Sequence, residues 1–551
     1  SRGLIIPWSQ VRILVGPISI ADFKLPIANF LRQSGRWLAI SVELAILTAL
    51  ILTTRCANYA DVFVGGKIYF VDADCYSRMT RARLVAEYPG LIVRQHDFEN
   101  FPTGTVPHTT APLDYLIVAL AGALGPFTAQ PLDLAGALIS PLLAVLGGWF
   151  LYWWSRRMTG PGRLLALLVY ALSAILVHGT ALGRPDQQGL LLVLLLIALG
   201  AEWRLQENPS RGWGIVSGLS WGVALWVSLF EPLILLGAVV LASSFFARRQ
   251  LLARPRWAGW AILGGIVMLG ALVERRLPEW PGAQAYFASW ASTIGELKPV
   301  HLTSLLWLHW SSGLLLVGPL LLFLALRRRL LPPVLAGLLF LAFCLTFWEA
   351  RWGYFFAVLF VLTLPAQLSV VRRKWLASLL ALIALLPLLQ FWDGRLWPNE
   401  ELAQARAADR RAAVEWRAVA SSLAGRPREA VLAPWWLAPA TAYWSGQPVV
   451  AGSSHESLPG IVESARFFLA TGPETAREIL QGHAVRWVLA DDSERVLENS
   501  AALLGVAILP GALGQTLDRS PSQSPVFLVL TRQEGSAKLY QVRDSREISA
   551  P

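Results

Sequence analysis

Long apolar runs separated by short polar connections dominate this chain. Eleven runs approach the roughly 20 residues that a helix needs to cross a hydrocarbon core about 30 Å thick. They lie at 37–53, 130–154, 163–181, 187–203, 212–229, 232–247, 257–273, 303–325, 331–347, 353–371 and 374–392. Charged residues are only 15% of the chain and the mean hydropathy is +0.50. We therefore predict a polytopic α-helical membrane protein.

Basic residues follow every second apolar run. The clusters are Arg156, Arg157 and Arg163; Arg204 and Arg211; Arg248, Arg249, Arg254 and Arg256; Arg327, Arg328 and Arg329; and Arg372, Arg373 and Lys374. Because Lys and Arg accumulate in cytoplasmic loops, we expect these connections and the N-terminus to be cytoplasmic. The remaining connections would face the periplasm or the exterior of a plasma (inner) membrane. This pattern explains the net charge of +11 without nucleic-acid binding, which we do not expect.

The predicted topology divides the chain into three parts. Residues 1–36 form a cytoplasmic N-terminal segment, in which we see no cleavable signal peptide. Residues 37–392 form the membrane domain, with outer loops at 54–129, 182–187 and 274–302. The apolar segment 112–125 has about 14 residues and is expected to be interfacial or re-entrant, since a span there would break the alternation.

Residues 393–551 have a soluble composition, and the alternation places them on the periplasmic or extracellular side. An Ala-rich amphipathic helix is predicted at 400–423. Short apolar runs predict strands at 430–433, 448–451, 485–490, 525–531 and 538–542. Together these elements predict a small α/β domain.

Acidic residues collect in the predicted outer loops. Asp72 and Asp74 could hold a divalent cation through carboxylate oxygens, although acidic pairs in loops are often merely solvated. Asp186 precedes a predicted helix, where it would serve either as an N-cap or as a functional carboxylate at the membrane rim.

Three further features have both a functional and a structural interpretation. Glu296 lies in an aromatic-rich loop and could be functional or simply pair with Lys298. Arg351 could bind phosphate through its planar fork or snorkel to the interface. Trp435-Trp436 could line a binding surface or belong to a core. The seven His residues are scattered, and no zinc-binding spacing, catalytic triad or phosphate-binding loop is present.

In their order along the chain, these motifs resemble the catalytic subunit of oligosaccharyltransferase, a family of GT-C membrane glycosyltransferases with single-subunit bacterial and archaeal members. Five motifs carry the resemblance, which spans about residues 37–470. Asp74-Cys75-Tyr76 and the helix after it match the family's Asp-x-Tyr motif, and Arg184 to Gln188 match its second acidic motif. Thr293-Ile294-Gly295-Glu296 matches the Thr-Ile-x-Glu motif, and Arg351 matches an arginine in a late helix. Trp435-Trp436 and the stretch 446–452 match the Trp-Trp-Asp region.

The resemblance implies a GT-C fold of about 11–13 transmembrane helices and a role for each matched residue. Asp74, Asp186 and Gln188 would hold Mg²⁺ or Mn²⁺. Asp74 and Glu296 would orient the acceptor amide, and Arg351 would bind the donor pyrophosphate. Trp435 and Trp436 would join Glu296 in contacting the acceptor. The implied reaction is inverting transfer of a glycan from a polyprenyl-linked donor in the membrane lipid onto a protein or peptide.

Three departures from the family pattern bear on this interpretation. Leu437 follows Trp435-Trp436 where the family has an Asp that recognises the hydroxyl of Asn-x-Ser/Thr. Gln188 is neutral where a carboxylate or His is usual, which predicts weaker metal binding. We also count eleven spans where the family has thirteen.

Two alternatives remain open at this stage. One is a GT-C transferase that uses a polyprenyl-phosphate monosaccharide and a Ser/Thr, lipid or polysaccharide acceptor, which Leu437 would favour. The other is a transporter or assembly scaffold. Transporters place polar residues near the bilayer midplane, whereas here they lie at one rim.

Overall fold

The fold was analysed in a computed structural model that describes residues 20–158, 160–276 and 284–543. Two compact units are distinguished, residues 1–49 and 50–551. The described part of the first unit is helical, as the beginning of helix α1 (Ile20–Arg55). The predictions for residues 1–19, including the first half of the N-terminal segment, lie outside the described residues. All elements below belong to the second unit.

The first outer loop contains more structure than its composition suggests. After α1 come α2 (Tyr59–Val62), the hairpin strands β1 (Phe63–Val64) and β2 (Lys67–Ile68), α3 (Ala73–Glu87) and α4 (Ala111–Leu124). Helix α4 has 14 residues, as expected for the segment 112–125. Its buried Asp114 accepts hydrogen bonds from Arg78 at 2.8 Å and Arg81 at 2.6 Å, so α3 and α4 are joined by a buried ion cluster.

Helices fill the rest of the membrane domain. They are α5 (Pro131–Ser155), α6 (Pro161–Leu172), α7 (Ala174–His178), α8 (Gln187–Glu207), α9 (Arg211–Val227), α10 (Phe230–Phe246), α11 (Arg248–Leu251), α12 (Arg254–Glu274), α13 (Phe287–Thr293), α14 (Leu306–Trp310), α15 (Gly318–Arg327), α16 (Pro333–Trp348), α17 (Gly353–Ser369) and α18 (Lys374–Leu396). Each of the eleven apolar runs contains helix, but two of them are interrupted. The run 303–325 is divided between α14 and α15 by Ser311, Ser312 and the 3-10 turn Gly313–Val317. The run 163–181 is broken at Ser173, whose hydroxyl donates to the carbonyl of Trp310 at 2.6 Å.

Six of the described helices are long and apolar enough to cross a membrane, and the chain is a multi-pass membrane protein. These are 37–55, α5, α8, α12, 350–369 and α18. Five apolar segments are shorter, with 10–17 residues, and they include α4, α6, α10 and α16. The exact number of spans therefore remains a prediction.

Three of the basic connections meet at one end of the helix bundle. Glu207, at the end of α8, pairs with Arg157 after α5 and with Arg204 at 2.8 Å. Near that end of α8, buried Glu202 pairs with Arg256 of α12 at 2.6 Å. The second, fourth and sixth connections thus meet at one end, as the alternation predicted.

The C-terminal region combines helices with a four-stranded sheet. Its elements are α19 (Glu400–Ser421), β3 (Ala430–Leu432), α20 (Ala438–Ser445), α21 (Leu458–Leu469), α22 (Pro473–Gly482), β4 (Val485–Ala490), α23 (Ser493–Leu504), α24 (Leu513–Arg519), β5 (Leu528–Glu534) and β6 (Ala537–Val542). The strand order is β3-β4-β6-β5, with β3 parallel to β4 and the other pairs antiparallel. The predicted amphipathic helix and four of five predicted strands are confirmed.

The predicted strand at 448–451 is wrong. Val449 makes a single bridge to Val431, so no ladder extends from it. Instead, its N–H donates to the carbonyl of Phe98 at 3.0 Å and its carbonyl accepts from the N–H of Phe101 at 3.1 Å. These backbone groups are satisfied by the first outer loop, which ties that loop to the C-terminal region.

Candidate functional site

Asp72 has a structural role at the start of α3. Its carboxylate accepts a hydrogen bond from the N–H of Cys75 at 3.1 Å, which caps the helix. It also pairs with Arg184 at 3.0 Å. Burial opposes its ionisation, but the Arg184 guanidinium holds the pKa of Asp72 below its usual value. The interpretation of the acidic pair as merely solvated is therefore wrong for Asp72.

Asp74 is the carboxylate of this pair that is free to serve a ligand. It lies in the first turn of α3, is accessible to solvent, and bonds Ser453 of the C-terminal region. Desolvation by the surrounding protein, followed by the charges of Asp72 and Asp186, raises its pKa well above the usual value, although the side chain remains accessible. The repulsion among these carboxylates shows that the site has an excess of negative charge, and a bound cation would reduce that repulsion.

Asp186 occupies the N-cap position of α8 but its side chain caps no backbone N–H. The interpretation of Asp186 as an N-cap is therefore wrong, and its carboxylate remains available to bind a ligand. Its nearest cation is Arg184, at 3.9 Å. Gln188, in the first turn of α8, is 3% exposed, and its Oε1 has no hydrogen-bond partner among the described residues.

The segment that carries Asp186 is held by backbone contacts. The N–H of Leu182 donates to the carbonyl of Arg55 at 2.9 Å, and the N–H of Gly183 donates to the carbonyl of Ala137 at 3.0 Å. The carbonyl of Gly183 accepts from the N–H of Val71 at 3.0 Å, which joins the segment to the start of α3. Gly183 has φ +73°, and a Cβ there would lie 2.8 Å from Val62. Glycine therefore allows the two loops to approach closely.

Arg351 is held between two carboxylates. It lies 3.2 Å from Glu231 and 3.9 Å from Glu296, and its Nε has no partner among the described residues. The N–H of Ala350 donates to the carbonyl of Lys298 at 2.8 Å, so the two loops are in direct contact. Arg351 is thus paired within the protein rather than extended to the interface, and Glu296 pairs with Arg351 rather than with Lys298.

Glu231 was not identified by the sequence analysis. It lies in the first turn of α10, its side chain is 3% exposed, and it also accepts from the hydroxyl of Ser228 at 2.7 Å. The available signal was its position, because the connection between the fifth and sixth apolar runs is one of the predicted outer connections.

Electrostatic coupling joins these groups into one centre. Desolvation and the charge of Asp186 raise the pKa of Glu296, while Arg351 opposes the shift. Glu296 in turn contributes to the raised pKa of Asp74. Asp74, Asp186, Glu296 and Arg351 therefore come together from four separate connections.

A second hydrogen-bonded chain supports Arg184 from the helix side. His178 Nδ1 lies 2.6 Å from the hydroxyl of Tyr354, and its Nε2 lies 3.4 Å from Arg184. These residues orient Arg184 towards Asp72, and the sequence analysis did not identify them.

Trp435 and Trp436 lie differently with respect to the charged centre. Trp435 packs with Leu437 against a core cluster that also contacts Ile294 and Leu297, beside Glu296. Trp436 packs against the core of the C-terminal region, and Arg495 lies over its ring at 5.0 Å. The structural interpretation fits Trp436 well, whereas Trp435 packs against the same core cluster as the Glu296 loop.

The donor atoms around Asp74 suit a hard divalent cation. Asp74, Asp186 and Gln188 offer only oxygen ligands, the type that Mg²⁺ and Mn²⁺ prefer. The unpartnered Oε1 of Gln188 is a further acceptor without a donor. In the described parts of the chain, neither Asp74 nor Asp186 belongs to a group of three His, Cys, Asp or Glu ligand atoms within 4.8 Å. A cation there would draw on Gln188 and water.

Glu99 is a buried carboxyl that connects the site to the C-terminal region. It is 2% exposed and accepts from the hydroxyl of Ser457 at 3.2 Å. Burial raises its pKa from 4.5 to about 7, although hydrogen bonds from Ser77 and Ser457 oppose the shift. Because the folded chain retains a proton that the unfolded chain releases, Glu99 lowers stability as the pH rises from about 4.5 to 7.

We expect Glu99→Gln to remove this pH-dependent loss of unfolding free energy, which amounts to at most about 3 kcal/mol. The measurement is the apparent melting temperature of the purified protein at about pH 5 and about pH 8. The difference between variant and wild type should grow in favour of the variant as the pH rises. A difference that stays constant over this range would contradict the burial argument.

The comparisons with known proteins were made on sequence and on structure. No family profile matches the sequence, and no curated protein matches it. Among solved structures, the oligosaccharyltransferase AglB from Archaeoglobus fulgidus, in complex with an inhibitory peptide and a dolichol-phosphate, is similar at TM-score 0.64 and 16% identity, over 83% of this chain and 70% of that one.

Two further solved structures are similar. One is the Archaeoglobus fulgidus oligosaccharyltransferase in complex with Zn and sulfate, at TM-score 0.61 and 15% identity, over 81% of this chain and 67% of that one. The other is ArnT from Cupriavidus metallidurans bound to undecaprenyl phosphate, at TM-score 0.53 and 12% identity, over 94% of this chain and 99% of that one.

Proposed function

We propose that this chain, whose fold is similar to that of GT-C glycosyltransferases, is an inverting glycosyltransferase, which moves a glycan from a polyprenyl-(pyro)phosphate donor onto a protein acceptor. The observation that carries the proposal is the convergence of Asp74, Asp186, Glu296 and Arg351 from four connections. We further propose that this centre faces the outside of the membrane, since the basic connections meet at the other end of the bundle.

Arg351 would bind the phosphate of the donor. Its pairing with buried Glu231 fixes one side of the guanidinium, while Nε remains without a partner in the described structure. A guanidinium fork suits phosphate oxygens, and its charge would stabilise the negative charge that develops on the leaving group. The carboxylate of Glu296, at 3.9 Å, would be displaced towards the acceptor when phosphate enters.

Glu296 and Asp74 would hold the acceptor. The acceptor amide nitrogen attacks the anomeric carbon as the bond from that carbon to the phosphate oxygen breaks, and its proton passes to a carboxylate or to water. Positioned carboxylates accept hydrogen bonds from the amide and orient it for attack. Asp74, Asp186 and Gln188 would hold Mg²⁺ or Mn²⁺, which when bound supplies positive charge to the leaving phosphate.

The acceptor side of the site departs from sequon recognition. Leu437 packs against the core cluster beside Ile294 and Leu297 and offers no hydrogen-bonding group to a Ser or Thr hydroxyl. This observation favours a second candidate function, a GT-C transferase with a polyprenyl-phosphate monosaccharide donor and another acceptor. ArnT, which is similar over 99% of its chain, was solved with undecaprenyl phosphate bound, and a polyprenyl-phosphate donor would release such a lipid.

We predict that transfer does not depend on a hydroxyl two residues after the acceptor. Loss of the peptide hydroxyl costs about 1–3 kcal/mol of binding where a site has a buried group that bonds it. Leu437 provides no such group here. Peptides with Asn-x-Thr and Asn-x-Ala should therefore be glycosylated at similar rates, as measured by mass spectrometry. Strong preference for the Thr peptide would show that another residue replaces the missing Asp.

The proposed function can be tested with purified protein in lipid nanodiscs. Two donors are compared, a polyprenyl-pyrophosphate oligosaccharide and a polyprenyl-phosphate monosaccharide, each with a peptide acceptor and with Mn²⁺. We expect glycopeptide from the first donor. Transfer from the second donor alone would support the second candidate function, and release of neither lipid phosphate would refute transfer to the peptide from either donor.

A further inference from the structure

Two histidines and a glutamate meet away from the all-oxygen site. His108 belongs to the first outer loop, and His455 and Glu456 belong to a 3-10 turn, His455–Ser457, in the C-terminal region. One ligand atom from each lies within 4.8 Å of the other two. We propose that these residues bind a transition-metal ion, Zn²⁺ in the first instance, which joins the first outer loop to the C-terminal region. This proposal does not depend on the proposed function.

The distances between the ligand atoms lie on either side of those in a zinc site. His108 Nδ1 lies 2.5 Å from Glu456 Oε1, and His455 Nδ1 lies 3.6 Å from Glu456 Oε2. The two imidazole rings are 5.1 Å apart between centroids. Zinc bonds of about 2.0–2.2 Å in a tetrahedron place neighbouring ligand atoms about 3.4 Å apart. Small side-chain rotations therefore convert the hydrogen-bonded arrangement into a coordinated one.

A metal explains why two histidines share one carboxylate. A single ion pair requires only His108, yet His455 faces the second oxygen of Glu456. A cation between the two imidazoles and the carboxylate would give each of the three side chains a partner. Two nitrogens and one carboxylate leave a fourth position for water, and this donor set favours zinc over magnesium or manganese.

The carboxylate is already oriented by its neighbours. Glu456 also accepts from the N–H of His108 and from the hydroxyl of Ser454, and its side chain is 8% exposed. His455 is 17% exposed and His108 is 42% exposed, so an ion could enter from the His108 side. Hydrogen bonds of this kind hold ligands in place in metal sites.

The proposed ion would also stabilise the loop that carries Glu296. The ring of Phe287, the first residue of α13, packs edge-on against His455 at 6.3 Å between centroids. Helix α13 leads directly into Glu296. A metal at His108, His455 and Glu456 would therefore restrain the start of this loop through the contact between Phe287 and His455.

The test uses the full-length protein, stripped with a chelator and titrated with Co²⁺. Cobalt is a spectroscopic substitute for zinc, and tetrahedral coordination produces intense visible absorption. We expect one equivalent of absorbing Co²⁺ in the wild type, with Zn²⁺ displacing it. His108→Ala and His455→Ala should each lose that absorption. His301→Ala, which changes an exposed histidine elsewhere, and Asp186→Asn should keep it.

A second measurement separates metal binding from folding. Zn²⁺ should slow backbone hydrogen exchange in residues 104–110 and 452–458 of the wild type, and it should leave exchange unchanged in His108→Gln/His455→Gln. Absence of tetrahedral Co²⁺ absorption from the wild type would overturn the proposal. So would equal absorption in the double variant, since the ion would then lie elsewhere.

Discussion

Asp186→Asn is expected to lower the rate of glycan transfer by about 10²–10³-fold while leaving the protein folded. The carboxylate caps no backbone N–H, so the substitution removes charge without removing a structural hydrogen bond. It should also weaken the binding of Mn²⁺, measured by electron paramagnetic resonance. Asp74→Asn should have the same two effects, because its carboxylate is the free member of the acidic pair.

Asp61→Asn is the matched control for these variants. Asp61 also lies in the first outer loop, but it pairs with Arg410 at 2.8 Å and its side chain is 36% exposed. Exposed ion pairs contribute about 0–1 kcal/mol, so this variant should retain transfer and Mn²⁺ binding. If Asp186→Asn and Asp74→Asn both retained wild-type transfer, the assignment of the site would be wrong.

Arg351→Gln is expected to have two separable effects. It removes the guanidinium proposed to bind phosphate, which should lower transfer by about 10²–10³-fold. It also leaves Glu231 buried without its cation, which should lower stability by about 3–5 kcal/mol. Transfer and apparent melting temperature are measured on the same preparations.

The double variant Arg351→Gln/Glu231→Gln distinguishes the two effects. Two neutral amides can bond each other, so the melting temperature should return towards the wild-type value. Transfer should stay low, because no positive charge faces the donor phosphate. Recovery of transfer together with stability would show that Arg351 only neutralises Glu231.

The helices could be predicted from the sequence because lipid requires long apolar segments, and each of the eleven runs contains helix. Their interruptions could not be predicted so well. The break at Ser173 depends on a hydrogen bond to Trp310, more than a hundred residues away. The segment 448–451 has the composition of a strand, but its backbone bonds the first outer loop instead.

The candidate site was predictable as far as its residues lie in distinct outer loops. The motif resemblance selected Asp74 rather than Asp72, but the structural role of Asp72 could not be predicted, because it depends on Arg184 and on the N–H of Cys75. Glu231 was missed because it stands one residue before an apolar run. The histidine–glutamate cluster was missed because His108 and His455 are separated by most of the chain and share no local spacing.

The central claim is that one centre, built from Asp74, Asp186, Glu296 and Arg351, transfers a lipid-linked glycan to protein. The most direct measurement is mass spectrometry of glycopeptides from cells that express either the wild type or Asp186→Asn at equal levels. We predict glycopeptides in the wild type that are absent from the variant. The same glycopeptides at the same abundance in both cells would contradict the account.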